Sequence, residues 1–279
     1  MQTFNNSTLQ MSETCAKSFG FIDVHCHLGE ERILSNLDKE ISEAEEVGIS
    51  KFISNALCQE EFELMNSKQI SEFQDSILWT AGIHPYYDKS SENDFESLIK
   101  FCDKKEIIAI GEIGLDNRKD NFEWQKKILL MQLDLAKNYD LPVVFHTVKQ
   151  YYELDKILKN NFPKVRGFLH AFNASQEIFE KFKKYDLGFS LNAKPPRDEV
   201  IRAIMKHGFY FFETDAPYMR PRELNEDFNH LKNFVWNVKQ ISQKSNTSLE
   251  ILKERQFKNF CDLFEYDHTN CLDQERERQ

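Results

Sequence analysis

No two cysteines in this sequence stand in a CxxC spacing, and no GxGxxG, GxSxG or GxxxxGK[ST] loop occurs. The six cysteines (Cys15, Cys26, Cys58, Cys102, Cys261, Cys271) are scattered along 279 residues. That excludes a zinc ribbon and a secreted disulfide scaffold, and it reads as reduced thiols in a cytoplasmic compartment. The missing loops exclude a Rossmann dinucleotide site, a serine-elbow hydrolase and a P-loop NTPase. No basic segment followed by an apolar run opens the chain, so no signal peptide is expected. No run of about 18 apolar residues occurs, so no membrane partner is expected. Positive charge is not in excess either: 36 Lys+Arg against 46 Asp+Glu leaves a formal charge of −10. A bulk basic surface that grips nucleic acid is excluded. A local cationic or metal-bearing groove is not, because salt confines charge to short range.

The chain also lacks a Pro/Gly/Ser-rich linker and any low-complexity segment. Its length would suit two average domains or one α/β barrel, which typically runs about 250 residues. We expect one domain over residues 19–266, between polar tails at 1–18 and 267–279.

What is present is an alternation of β-rich runs and helical patterns. The strand-like runs are Phe19 to Leu28, Lys51 to Leu57, Ile77 to His84, Ile107 to Leu115, Val143 to Thr147, Arg166 to Phe172, Leu187 to Asn192 and Phe209 to Thr214. Helical periodicity fills the gaps, most clearly at Asn36 to Val47, Glu60 to Phe73 and Phe122 to Asn138. Two further helices, Asp227 to Gln240 and Ser248 to Phe264, close the body. The strand runs are continuously apolar, as when both faces of a parallel sheet are covered. Eight βα repeats predict a (β/α)8 TIM barrel rather than an open doubly wound sheet.

Into these apolar strands the sequence sets groups that are costly to bury. His25 and His27 lie on the first strand, His84 ends the third and Glu112 falls in the fourth. His146 lies in the fifth, His170 in the sixth, and Asp215 follows the eighth. Buried polar groups need partners. In a parallel barrel all these strand ends open on one rim, where active sites form. A converging set of His, Glu and Asp is satisfied most cheaply by a metal. In His25-Cys26-His27, residues i and i+2 share a strand face, so both imidazoles reach one ion while Cys26 packs outward. Taken alone, the pair would read as two hydrogen-bonded core histidines. That reading would have to be repeated at His146, His170, Glu112 and Asp215. Gly111 and Gly114 flank Glu112 and mark a close backbone or ligand approach. Asp215, ahead of Pro217, would by itself be a turn former. His207, His230 and His268 are expected at the surface. Phe172 and Tyr86 fall at the rim, where an aromatic ring can stack a base. Packing is the expected role of Phe172.

At these residues the sequence resembles the TatD-type metal-dependent hydrolases, a deoxyribonuclease family among the amidohydrolase-like barrels. The resemblance runs from about Phe21 to Phe264, through FIDVHCHL, AGIHP, AIGEIGLD, QKKILLMQLDLAKNYDLPVVFH, LHAFNAS and ETDAPYMRP, to the late KNFCDLF with Asn259. It implies a barrel with two divalent ions (magnesium, manganese or zinc). His25 and His27 would hold one ion, His146 and His170 the other, with Glu112 between them. Asp215 would be a ligand and the general base for the attacking water, and His84 would lie at the scissile phosphate. The implied activity is 3′→5′ exonucleolytic hydrolysis of DNA, as single strands or 3′ ends.

The chain departs from the family pattern around those ligands. Tyr86 stands where GIHP is often followed by histidine, Thr147-Val148 replaces a Ser-Arg pair, and Leu224-Asn225-Glu226-Asp227 replaces Arg-Asn-Glu-Pro. The ligands survive while several substrate contacts do not. Hydrolase chemistry is therefore expected, with another ester, amide or aminoacyl-nucleic-acid substrate as one alternative. A barrel subunit bound to other proteins of a larger system is the second. Lys194, Arg197, Arg220 and Arg222, on the loops after strands seven and eight, are candidate sources of local positive charge, and for any one of them solvated loop charge is the expected reading.

Overall fold

The structure, a computed structural model, describes residues 19–266; the two expected tails lie outside the described residues. Eight strands form one sheet: β1 (Phe21–Cys26), β2 (Ile49–Ala56), β3 (Ile77–Ala81), β4 (Ala109–Asp116), β5 (Val143–Val148), β6 (Arg166–Leu169), β7 (Asp186–Leu191) and β8 (Tyr210–Phe212). They lie in chain order, each parallel to the next, with helices between them. The (β/α)8 barrel is thus observed. β8 and β1 meet through bonds just past their ends: Asp215 N–H donates to His25 O (2.9 Å) and His27 N–H to Ala216 O (2.8 Å). Lower down, the side chain of Gln256, on the helix Leu249–Phe264, donates to Ile22 O (2.6 Å) and Phe212 O (3.4 Å) across the same seam.

Two apolar layers result. The larger lies between strands and helices and includes Phe52, Ala81, Ile110, Phe145, Leu169, Phe189 and Phe212. The smaller uses the alternate strand positions Ile53, Ala109, Val144, Phe168 and Phe211. By the period of two, the face carrying Val144 and Phe168 also carries His146 and His170. One barrel face is therefore apolar toward the N-terminal ends of its strands and polar toward their C-terminal ends.

The helix Phe122–Tyr139 shows how a helix serves the rim. It buries Ile128, Leu129, Leu133, Leu135 and Ala136, as its period requires, but also Gln125 and Gln132. Gln132 accepts from Ile83 N–H (2.7 Å) and donates to Ile83 O (3.1 Å). Gln125 does the same with Asp116 (2.7 and 2.9 Å). Two buried amides, seven residues apart on one helix face, thus clamp the backbone beside His84 and at the end of β4.

Several expected boundaries move. β1 stops at Cys26, β3 at Ala81 and β6 at Leu169, so His27, His84 and His170 lie just beyond their strands, as Asp215 does in its expected place after β8. The helix expected over Glu60 to Phe73 is two helices, Gln59–Met65 and Lys68–Ser71, because Ser67 caps the second one's Ile70 N–H (3.4 Å). The helix expected from Asp227 begins at Phe234, after a 3-10 turn at Leu231–Asn233. Among the described residues no helix is long and apolar enough to cross a membrane.

Candidate metal centre

The seven sequence-predicted residues His25, His27, His84, Glu112, His146, His170 and Asp215 are all buried at one end of the barrel. Glu112 sits at their centre. Its Oε2 faces His25 Nε2 (3.4 Å) and His27 Nε2 (3.9 Å). Its Oε1 faces His146 Nδ1 (2.6 Å), His84 Nε2 (3.3 Å) and His170 Nε2 (3.3 Å). Asp215 Oδ1 closes the first group, 3.2 Å from His27 Nε2 and 3.7 Å from His25 Nε2. Each oxygen of one carboxylate therefore addresses a different set of imidazoles.

The local backbone explains this convergence. A Cβ on Gly114 (φ +155°) would collide with His146 O, and one on Gly111 would come within 2.5 Å of Val144 Cβ. Only glycine lets β4 approach β5 closely enough to bring Glu112 to His146. Asp215 has φ +56°, and its carbonyl accepts from Tyr218 N–H (2.7 Å). It is a turn former and a member of the site at once. Beneath it Asp23 accepts from Thr214 N–H (2.9 Å) and Thr214 Oγ1–H (2.5 Å). Burial, outweighing these bonds, pushes the Asp23 carboxyl up to about 8. Cys26 faces away from the site, its thiol directed at Ile53 O (3.5 Å).

Three partners of the histidines are not identified by the sequence pattern. His25 Nδ1 lies 3.0 Å from Asn55 Nδ2. His146 Nε2 lies 2.8 Å from Asp116 Oδ2, and Asp116 is in turn forked by Arg118. His170 Nδ1 lies 3.1 Å from Glu213 Oε1, and Glu213 also accepts from Asn192 Nδ2 (3.0 Å), Ser190 Oγ (2.5 Å) and Ala171 N–H (2.9 Å). The signal was within the quoted motifs, because Asp116 ends GEIGLD and Glu213 opens ETDAP. His146, hydrogen-bonded to a carboxylate on one nitrogen, presents the other in a fixed tautomer, the usual arrangement around a metal, whereas at His170 the Glu213 contact is one of charge and Nδ1 makes no hydrogen bond.

The donor set fits a cation. His25 Nε2 is buried and makes no hydrogen bond of normal geometry. The sets His25/His27/Glu112 and His84/Glu112/His146 each bring their ligand atoms within 4.8 Å of one another. His84 is the exception within its set. Its Nδ1 accepts from the backbone N–H groups of Tyr86 (3.0 Å) and Tyr87 (2.9 Å), so the neutral ring carries its proton on Nε2. Burial, outweighing the Glu112 charge, pulls His84 down to about 4 and keeps that ring neutral. It is a hydrogen-bond donor aimed into the site. Burial opposes ionisation of Glu112 and Asp215, but the surrounding histidines hold both below the usual carboxylate range. Burial likewise opposes a charge on His170, yet Glu213 and Glu112 raise it to about 10.

A cavity of about 750 Å³ opens above this cluster. Its wall includes Tyr86, Tyr218, Arg118 and Lys149, and not Lys194, Arg197, Arg220 or Arg222. The cations of the wall come from the loops after β4 and β5, and the four candidates after β7 and β8 keep the expected reading of loop charge. Arg220 instead donates to Leu224 O (2.8 Å). Phe172 is buried against Phe189, as packing predicts, whereas Tyr86 is 39% exposed. His207 is exposed, His230 is half-buried beside Glu40 Oε1 (2.6 Å), and His268 lies outside the described residues.

Comparison with known proteins agrees with the geometry. The family model described as "TatD related DNase" matches residues 22–265. The uncharacterized metal-dependent hydrolase YjjV of Escherichia coli is 31% identical over 209 residues, covering 71% of this chain and 80% of that protein. The 3′-5′ ssDNA/RNA exonuclease TatD of Pantoea ananatis is 28% identical, covering 72% of this chain and 81% of that one. The crystal structure of YjjV superposes with a TM-score of 0.78 at 25% identity, over 88% of this chain and 98% of that one.

Proposed function

The chain belongs to the TatD-related DNase family, and from that premise we propose that it is a divalent-metal nuclease acting on the 3′ end of single-stranded DNA. One observation carries the reading: Glu112 turns its two oxygens to two separate histidine sets. His25, His27 and Asp215 would hold one ion and His146 with His170 a second, with Glu112 shared between them. Magnesium, manganese and zinc all accept such His/carboxylate donors. Two such ions would stabilise charge on the phosphate oxygens and make water a usable nucleophile at neutral pH.

The side chains supply the rest. Asp215, ionised by its histidine neighbours, accepts the proton of the attacking water. His84 donates from Nε2 to an oxygen of the scissile phosphate. The formal charge of −10 disfavours gripping a long duplex, and a 750 Å³ cavity suits one strand end. The similarity to a single-strand exonuclease supports the same choice. The free thiols of Cys26, Cys58 and Cys102 support a cytoplasmic setting, and residues 19–266 act as one domain.

The test is turnover of labelled single-stranded and duplex DNA, with free and blocked 3′ ends, under each metal, with EDTA as the zero. Stepwise loss of 3′ nucleotides from free ends is expected, abolished by EDTA. Asp215→Ala and Glu112→Ala should each lower the rate by a factor on the order of 10³ or more while circular dichroism is retained. Equal cutting of blocked ends, or variants that match wild type, would overturn it.

A further inference from the structure

Two exposed tyrosines at the cavity mouth are built alike. Tyr86, just past β3, is 39% exposed, and the Arg118 guanidinium lies 4.1 Å from its ring centroid. Arg118 is held from behind by Asp116, through Nε at 2.9 and 3.0 Å. Tyr218, just past β8, is 40% exposed, and Arg32 lies 5.2 Å from its ring centroid. Arg32 is held from behind by Glu30, through Nε at 2.9 and 3.0 Å. Each unit is therefore an exposed ring backed by an arginine that a carboxylate immobilises.

Both units are joined to the metal centre. The backbone N–H of Tyr86 donates to His84 Nδ1, and Asp116 Oδ2 faces His146 Nε2 at 2.8 Å. The Tyr218 ring meets His27 edge-on, with centroids 5.3 Å apart. Tyr152, also on the cavity wall, differs: its hydroxyl donates to Glu177 Oε1 (2.7 Å) and Lys181 lies over its ring, so its partners are surface charges. Core tyrosines of this barrel bury their rings, as Tyr210 does. The Tyr86 ring has Arg118 and Lys119 against it and the Tyr218 ring has Arg32, yet both residues remain about two-fifths exposed. A nucleobase covers such a ring well, since every base has a π-face, and the adjacent guanidinium meets the flanking phosphate.

We propose that Tyr86 and Tyr218 are stacking platforms for two nucleobases of a single strand, with Arg118 on the cavity wall and Arg32, off the wall but against the Tyr218 ring, meeting its phosphates. The inference rests on the nuclease reading above and adds to it the two side chains that hold the unpaired bases. Duplex ends cannot satisfy the platforms, because their bases are already stacked and paired.

The experiment uses short single strands in which one nucleotide at a time near the 3′ end is replaced by an abasic unit. For wild type, an abasic unit at either of two positions should lower kcat/KM roughly 5- to 150-fold, chiefly through KM. Tyr86→Ala should show that loss already on the intact strand and no further loss at one of the positions. Tyr218→Ala should do the same at the other. Tyr86→Phe and Tyr218→Phe should restore the wild-type pattern, since the ring is what stacks. Abasic strands cut as fast as intact ones, or alanine and abasic effects that simply multiply, would overturn the platforms and leave the nuclease reading standing. If no strand is cut under any metal, the nuclease reading falls. Fluorescence anisotropy of the same strands on the metal-loaded protein then decides the platforms. Base-dependent binding that Tyr86→Ala and Tyr218→Ala abolish would uphold them; base-independent or absent binding would overturn them.

Discussion

At the scale of single residues, the centre is a problem of orientation. An imidazole can face a cation with either nitrogen, and the other nitrogen's partner decides which. Asp116 holds His146 by Nε2, leaving Nδ1 toward Glu112; Glu213 lies at His170 Nδ1, leaving Nε2 toward Glu112. Such outer partners commonly contribute 10–100-fold to metal affinity. Asp116→Ala and Glu213→Ala should therefore weaken binding of zinc or manganese by about 10- to 100-fold, as read by calorimetric titration. Unchanged affinity in both would show that packing alone orients the rings. These partners were hard to pick from the sequence. An acid beside a glycine-rich strand or before Asp215 looks the same whether it meets the ion, the histidine or solvent.

At the scale of elements, the helices fix where strands end on the rim. The apolar stripe of Phe122–Tyr139 is legible from its period, but the purpose of Gln125 and Gln132 within it is not. Periodicity marks a buried position without naming the backbone group waiting there. Another tie joins the helix Tyr151–Asn161 to the segment around the next helix. Asp155 accepts from Tyr185 OH (2.7 Å) and lies near Lys184 (3.3 Å) and Lys181 (3.5 Å). Partial burial opposes its charge, but Tyr185 and Lys184 hold its carboxyl below the usual range. Folding thus favours the ionised form. The resulting stability is present above the unfolded value of about 4 and is lost as pH falls through the lower folded value. Solvent screening limits it to about 1 kcal/mol. Asp155→Asn should lower the urea midpoint accordingly at pH 7, and its difference from wild type should shrink toward zero as pH falls through the lowered Asp155 value. A difference that stays constant across that range would assign the effect to packing.

At the scale of the whole molecule, the seam between β8 and β1 is where the barrel could fail to close, and the segments carrying His25, His27 and Asp215 meet across it. Gln256 bonds backbone oxygens on both sides of the seam, and Asn259 donates to Gly208 O (2.9 Å) and Tyr210 O (3.0 Å) nearby. Gln256→Leu would leave buried carbonyls unpaired and should cost about 2–3 kcal/mol, measured by urea denaturation. A loss under about 0.5 kcal/mol, the range of a surface substitution, would show that strand bonds alone close the seam. From the sequence alone one can read a parallel sheet covered on both faces, since eight apolar strands alternate with amphipathic helices, and the eight repeats favour a barrel. The chain-order pairing and the β8–β1 closure, which exclude an open doubly wound sheet, are tertiary facts. The six ligand candidates and His84 are also legible as costly polar groups in apolar strands, but Asp23, Asp116 and Glu213 carry the same signal and stand behind the site. The tertiary structure decided which oxygen of Glu112 meets which histidine, which acids stand behind the rings, and which cations and tyrosines reach the cavity. Those depend on directions in space: strand ends, loop turns and neighbours dozens of residues apart, which a one-dimensional pattern does not carry.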